Sequence, residues 1–379
     1  MNRQRVVDAV RDHGSLTQVE IAQVTGLSQA TVSNMVRELD AIGAVDLAPS
    51  IRNGRRATLV SPSAPAGLLA AIVFGDRDVR VAVGETAERV LQRQRMPLPF
   101  NHAADEGLER SCRLLFDLLE QQGAPPERVS AVVVGLPAPV DSVSGQVGSQ
   151  TILPGWRGVS VSTAIAEVLP ACVQLDNTAN LAALGEFKNG ALQGFRNGVY
   201  IKASYGIGAG LILNGELFRG SAGTAGEIGH ITLDENGPVC RCGNRGCLDT
   251  YVGSAAVLAA LRDSHGPLTL RDVISRALDG DLGCRRVLED AAHHIGVAAA
   301  GVVNLLNPEV IVLGGQVARA GEIVLRPLQE AIERCAIPSA AHSLQVLAGS
   351  HADEADVVGA LTLAGQLRDQ PEARPSTVR

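Results

Sequence analysis

The residues with the plainest chemistry are His230, Cys240, Cys242 and Cys247, which put one imidazole and three thiols within eighteen residues. Gly237, Gly243 and Gly246 let such a loop fold back on itself. These four donors complete a tetrahedral zinc shell, and with no position left for water the expected ion, one per chain, is structural rather than Lewis-acidic. It would stiffen the segment after Glu227 and fix Asp249, two residues beyond Cys247. The other cysteines read as small core residues.

A second set lies near the N-terminus. Gln29, Thr31, Ser33, Asn34 and Arg37 occupy the outward positions of a helix capped by Ser28, with Ala30, Val32, Val36 and Leu39 facing inward. Such side chains hydrogen-bond base edges and phosphates in a major groove, although any solvated helix also displays polar groups. Arg52, Arg55 and Arg56 crown a turn beside Gly54, suited to a minor groove or its phosphates.

The elements that must position these groups begin with a helix through Val6, Val7 and Val10, ended by Gly14. A short helix over 19–24, with Thr17 as N-cap, stops at Thr25-Gly26-Leu27 and leads into the helix after Ser28. Two short helices about a glycine turn make a helix-turn-helix, and strands expected at 44–48 and 57–60 add a wing. A three-helix interaction module with an exposed hairpin is the bland alternative. Residues 61–67 form a short linker containing proline, and a second domain opens with strands at 68–74 and 79–83. Helix 106–121 and the apolar strand Val129–Gly135 follow. A strand at 173–175 leads through Asp176-Asn177-Thr178-Ala179-Asn180 into an Ala/Leu-rich helix to Glu186, and a further strand spans 199–203. The glycines of Ser204-Tyr205-Gly206-Ile207-Gly208-Ala209-Gly210 either surround a phosphate with backbone amides or serve a tight hairpin. A long helix at 289–306 feeds the buried strand Val310–Leu313.

With 379 residues the chain holds two or three domains, and 46% apolar content with 3% aromatic residues describes a globular protein with an aliphatic core. The net charge of −7 is uneven, since residues 1–60 carry seven arginines against six acidic groups. Any DNA binding therefore rests on a few placed groups, not a diffuse positive field. No leader or membrane-spanning run is evident, and the expected location is cytoplasmic, without membrane contact. The segment 369–379 reads as a disordered tail.

Ala225-Gly226-Glu227-Ile228-Gly229-His230, followed by Cys240-Arg241-Cys242-Gly243-Asn244-Arg245-Gly246-Cys247-Leu248, resembles the signature of one family. This is the repressor, open reading frame and kinase family, or ROK, in its form with an N-terminal winged helix-turn-helix. Gly135-Leu136-Pro137, Ile152-Leu153-Pro154-Gly155-Trp156 and Asn307-Pro308-Glu309 through Gly314-Gly315 agree. The resemblance implies a two-lobed α/β domain of the actin-like, sugar-kinase-like (ribonuclease H-like) class. It implies a small lobe at 68–174, completed by a C-terminal helix at about 355–368, and a large lobe at 175–354 with the zinc site. It also implies a homo-dimer or tetramer.

In the family's kinases a sugar is held by groups that fall here on Asn177, Thr178, Glu227, His230 and Asp249, with Gly135 and Pro137 beside them. Thr178 stands where the catalytic aspartate would remove a proton, and an alcohol is far too weak a base. Val73 stands where the first phosphate segment has aspartate, with Asp76 not restoring the pattern, and Ser204-Tyr205 replace a Gly-Thr pair. Lost catalysis is expected, with neither ATP nor Mg2+ as cofactor. The expected function is a DNA-binding regulator, a repressor of sugar uptake or catabolism genes, that reads a double-stranded operator under control of a sugar or sugar derivative. The alternatives are an active ATP-dependent sugar kinase with an accessory DNA-binding domain, or a regulator with a vestigial cleft controlled by a protein partner.

Overall fold

The computed structural model describes residues 2–13, 15–41, 45–52, 55–62, 67–141, 146–148 and 153–369. Helix α1 (Asn2–His13) buries Val6 and Val10. A two-residue strand, β1 (Leu16–Thr17), leads into α2 (Gln18–Thr25), whose start is a capping box. The Thr17 hydroxyl accepts from the Glu20 amide at 3.3 Å, and the Glu20 carboxylate accepts from the Thr17 amide at 2.7 Å. Gly26 ends α2 in the left-handed region at φ 70°. Ser28 then accepts from the Thr31 amide at 3.1 Å and starts α3 (Gln29–Ala41). Val32, Val36 and Leu39 pack on Val6, Val10 and Ile21. Ala30, expected inside, is exposed. It precedes Val32 by two residues, about 200° around the helix.

Strands β2 (Val45–Arg52) and β3 (Arg55–Pro62) pair antiparallel from Val45↔Pro62 to Arg52↔Arg55, and β1 adds to β3 at Leu16↔Val60. The wing strands are longer than expected, because backbone pairing continues past the apolar residues that marked them. Outside the described residues lie Gly14, Gly43, Ala44, Asn53, Gly54, residues 63–66 of the linker, Ile152 and residues 370–379 of the expected tail; so do the side chains of Arg52, Arg55 and Arg56.

The chain divides into two compact units between Gly67 and Leu68. In the second unit β4 (Leu68–Phe74), β5 (Asp78–Gly84) and β6 (Val90–Pro97) form a meander, followed by α4 (Ala104–Gln121), β7 (Val129–Leu136), α5 (Val161–Ala166) and β8 (Cys172–Asn177). The sheet order is β6-β5-β4-β7-β8, so the first lobe extends past the expected boundary at 174 to Asn177. Helix α6 (Thr178–Asn189) crosses to a second sheet. Its strands are β9 (Gly198–Ala203), β10 (Ile207–Leu213), β11 (Glu216–Phe218), β12 (Val310–Gly314) and β13 (Gln345–Ala348), in the order β11-β10-β9-β12-β13. Between β11 and β12 run α7 (Asp249–Val252), α8 (Ser254–His265), α9 (Leu270–Leu278) and α10 (Leu282–Leu306). Around β13 lie α11 (Glu322–Cys335) and α12 (Pro338–Ala341), then α13 (Ala355–Asp369). Among the described residues no helix is long and apolar enough to cross a membrane.

The glycine-rich run after Tyr205 turns into β10, paired with β9 from Ile207↔Ala203 to Ile212↔Gly198, and Gly206 and Gly208 line a cavity between the two lobes. A side chain at Gly210 would meet the Ala179 carbonyl at 2.6 Å, so these small residues admit α6 against the strand.

Helices α6 and α13 lie between the sheets. Leu181 and Leu184 join Leu361 and Ala364 beneath the first sheet, whereas Ala182 and Ala183 pack on Tyr200 and Ile212 of the second. A Cβ on Gly359 would overlap the Leu181 carbonyl, and one on Gly185 the Ala355 carbonyl, so the two helices cross backbone to backbone. Glu186, wholly buried, ties them further by accepting amides from Ala191, Ser350 and His351 at 2.7, 3.0 and 2.9 Å. Gly359→Ala should cost at least about 1–3 kcal/mol. Gly365→Ala on the same helix, with its nearest neighbour at 3.6 Å, should be neutral or gain up to about 1 kcal/mol. Thermal melts of the two variants make the comparison, and equal effects would refute the close crossing.

Candidate functional site

A cavity of 270 Å³ opens between the two lobes of the second unit. Its walls include Pro137, Asn177, Thr178, Glu227, His230 and Asp249, so the structure brings six of the seven expected ligand residues together. Gly135 is the exception. It sits in β7, outside the cavity lining, where a Cβ would meet Leu181 Cδ1 at 2.8 Å and Thr178 Cγ2 at 3.4 Å, so its smallness admits the start of α6.

Asn177 is the N-cap of α6, its Oδ1 accepting from the Ala179 amide at 2.7 Å. Its Nδ2 donates to the Ala138 carbonyl at 3.0 Å and to Glu227 Oε1 at 3.4 Å. Behind the cap stands Asp176, which the sequence reading passed over. Asp176 Oδ2 accepts from Arg219 Nε at 2.9 Å and Nη2 at 2.7 Å, and Oδ1 accepts from Asn180 Nδ2 at 2.9 Å. Its spacing of four from Asn180 was the available signal. Burial, then the Asp249 charge, pushes the Glu227 carboxyl up to about 7. Asp249 accepts from the Ile207 amide through Oδ1 at 3.3 Å and from Arg241 Nη2 through Oδ2 at 3.1 Å.

Beside this wall the four candidate metal donors converge within 4.8 Å of one another. Cys240 Sγ lies 3.6 Å from His230 Nδ1, and Cys242 Sγ 3.6 Å from Cys247 Sγ. Those separations match the edges of a tetrahedron of thiolates and imidazole about a metal, roughly 3.5–3.8 Å, and are far from the ~2 Å of a disulfide. The donor set thus fits a four-coordinate metal ion, and His230 keeps Nε2 for the cleft. His265, Asp281 and Cys284 also approach one another, but Asp281 is the N-cap of α10, accepting from the Cys284 amide at 2.8 Å.

The other end of the cavity is bounded by Gly75-Asp76 and Ser204-Tyr205. Val73, where a phosphate-site aspartate was sought, is wholly buried in the apolar layer with Leu181 and Leu361. Asp76 instead enters the wall, where burial pushes it up to about 6 against the lowering pull of Arg77. Between the sheets Asp356, in the first turn of α13, accepts from Arg80 Nη1 at 2.7 Å and Nη2 at 2.8 Å, and from Lys202 Nζ at 2.6 Å. The three side chains are 2%, 13% and 19% exposed respectively, so the space holds an internal ion cluster. None was anticipated, although Lys202 inside Val-Tyr-Ile-Lys-Ala and Asp356 before Val-Val-Gly-Ala-Leu are conspicuous charges in apolar runs.

In the first unit Gln29, Asn34 and Arg37 are exposed and Thr31 and Ser33 half-buried along α3. Arg37 Nη2 donates to Asn34 Oδ1 at 2.9 Å, and the Thr31 hydroxyl lies 2.8 Å from that of Ser28. A polar helix face beside a two-stranded wing suits a DNA groove.

A winged helix followed by a two-lobed, sugar-kinase-like α/β domain with a Cys3His cluster beside its cleft defines a DNA-reading module joined to a small-molecule-binding one. The chain belongs to the ROK family, whose profile matches residues 69–367, and its N-terminal domain is of the MarR type, matched over residues 5–56. It is 28% identical to the xylose repressor of Caldicellulosiruptor bescii over 383 residues, covering 96% of this chain and 95% of that protein. The crystal structure of a ROK family transcriptional regulator, a homologue of the E. coli MLC protein, superposes with a TM-score of 0.72 at 25% identity, covering 97% of this chain and 96% of that one. A ROK family glucokinase from Streptomyces griseus, in complex with glucose and AMPPNP, gives 0.70 at 27% identity over 79% of this chain and 100% of its own.

Burial would raise the Asp356 carboxyl, but the charges of Arg80 and Lys202 outweigh it and hold it at about 2, below an ordinary 3.8. A depressed carboxylate stabilises the fold above its unfolded pKa, and that contribution is lost as the pH falls toward 2. Asp356→Asn should therefore cost about 3–5 kcal/mol at pH 7, because two buried cations lose their carboxylate. The gap to the unmodified protein should close below about pH 4. Urea unfolding from pH 7 to 2 measures it, and a gap that ignores pH would remove the ion cluster as its cause.

Proposed function

We propose that this protein is a DNA-binding transcriptional regulator of sugar uptake or catabolism genes, a repressor, whose kinase-like cleft binds a sugar or sugar derivative without phosphorylating it. The observation that carries the reading is Thr178. It occupies the cleft wall between Asn177 and the rest of α6, where a kinase needs a proton acceptor. The internal cluster of Arg80, Lys202 and Asp356 supports it, since both cations already donate to the Asp356 carboxylate. The xylose repressor similarity over nearly the whole chain supports the regulatory half.

In this reading Gln29, Thr31, Ser33, Asn34 and Arg37 face the major groove, and Arg52, Arg55 and Arg56 grip phosphates or enter a minor groove. Asn177, Glu227, His230 and Asp249 meet sugar hydroxyls, with Pro137 and Thr178 shaping the wall. The protein acts in the cytoplasm as a homo-dimer or tetramer, matching the two half-sites that helix-turn-helix proteins usually read. Coupling of about 2.7 kcal/mol between ligand and DNA would change operator affinity 100-fold. An ATP-dependent sugar kinase is the second reading, favoured by the retained Asn177, Glu227 and His230 and by similarity to the glucokinase.

Calorimetric titration with a sugar panel and with Mg-ATP, paired with DNA binding at each ligand concentration, separates the two. We expect saturable sugar binding that changes DNA affinity, with no tight Mg-ATP binding and no ADP release. Steady ADP release in the presence of a sugar would establish the kinase instead.

The metal in this reading is zinc, one structural ion per chain on His230, Cys240, Cys242 and Cys247. Elemental analysis of protein purified without added metal should find one zinc per chain. Cys242→Ser should lower the zinc content and weaken the ligand response, because the loop adjoins Glu227 and Asp249. Folded, ligand-responsive protein without metal would defeat this assignment.

A further inference from the structure

We propose that the ligand of the cleft is an anionic sugar, bearing a carboxylate or a phosphate, and that Arg241 selects it. The inference rests on the reading that the cleft holds a sugar. At Asp249, where the resemblance puts a hydroxyl-accepting glutamate, each carboxylate oxygen already holds a protein donor, the Ile207 amide at 3.3 Å or Arg241 Nη2 at 3.1 Å. Its side chain is only 9% exposed, whereas that of Arg241 is 41% exposed. Each oxygen keeps a lone pair for a hydroxyl, and beside it this part of the wall also offers an incoming molecule a guanidinium.

Arg241 lies between Cys240 and Cys242, so a loop gathered around the metal donors sets its backbone. Among the described residues Asp249 is its one hydrogen-bond partner, which leaves most of its five N–H donors for a ligand. Arg271 lines the same cavity and forms no ion pair among the described residues. The neighbouring Asp272 is occupied in capping Thr269, accepting from its amide at 2.8 Å. The first lobe contributes both signs, with Arg95 paired to Asp78 and Arg80 to Asp356. Asp76 and Asp78 enter the wall from the β4–β5 turn, and Asp76 is 6% exposed with Oδ1 lacking a partner. The negative end of a ligand is therefore met by Arg241 and Arg271, on the lobe opposite Asp76. A guanidinium fork matches the two oxygens of a carboxylate or phosphate, and charged hydrogen bonds outweigh those to a hydroxyl.

The test is calorimetry at low salt on the full-length, zinc-containing protein with matched sets. D-glucose is compared with D-glucuronate, D-gluconate, glucose 1-phosphate and glucose 6-phosphate, D-xylose with D-xylonate, and D-galactose with D-galacturonate. We expect an anionic member to bind about ten- to a hundredfold more tightly than its neutral parent. The carboxylate and phosphate arms identify which anion is read. Arg241→Gln should erase that preference and Arg271→Gln reduce it, while Arg241→Lys, which keeps charge without the fork, should retain part; melting temperature and zinc content confirm folding. Neutral parents binding as tightly as their acids, or an unchanged preference in Arg241→Gln, would overturn this inference and leave sugar control standing. No binding by any member to folded, DNA-competent protein would overturn both.

Discussion

The crossing of α6 and α13 is the constraint on which the ligand-binding unit depends. These helices lie between two five-stranded sheets, and each starts at the cleft: α6 with Asn177 and Thr178, α13 with Ala355 and Asp356. Contact at Gly185 and Gly359 lets the helices approach until backbone meets backbone. That leaves little freedom for either first turn to shift independently, because packed interiors transmit displacement. The cleft's floor is consequently a product of helix packing, and its chemistry is set by which side chains the two first turns carry.

Those side chains divide the cleft. The N-terminus of a helix favours an anion, and in nucleotide-binding proteins that anion is often a phosphate. Here α13 carries its own carboxylate, Asp356, and two buried cations from opposite sheets close on it. The arrangement links the lobes through one carboxylate. At the α6 end the polar groups remain open to a ligand, supported from behind by the Asp176–Arg219 pair. One end thus carries paired charges, and the other presents polar groups to the cavity.

The metal-donor loop extends this logic. Cys240, Cys242 and Cys247 fold it onto His230, and the same backbone carries Arg241 and leads directly into Asp249. An ion held by these donors would set where the residues between and beside them stand.

The sequence by itself determined whatever depends on neighbours along the chain. Thr17 and Gly26 announced the helix-turn-helix, because caps and left-handed turns are local. The apolar runs at 68–74, 129–135 and 310–313 announced buried strands, and the close spacing of three cysteines a cluster of candidate metal donors. Edge strand β6, with exposed Arg and Gln side chains, had no apolar alternation to reveal it. Strand β1, two residues long, exists only because β3 offers it partners. The glycines of β10 were ambiguous until Ala179 and Ala183 of α6 packed against them. Arg80, Lys202 and Asp356, separated by up to 276 residues, could be read only as isolated charges. Tertiary structure decided that both cations meet the one carboxylate, because the energy of a buried charge depends on which partner the fold brings within hydrogen-bonding distance, and no local pattern carries that information.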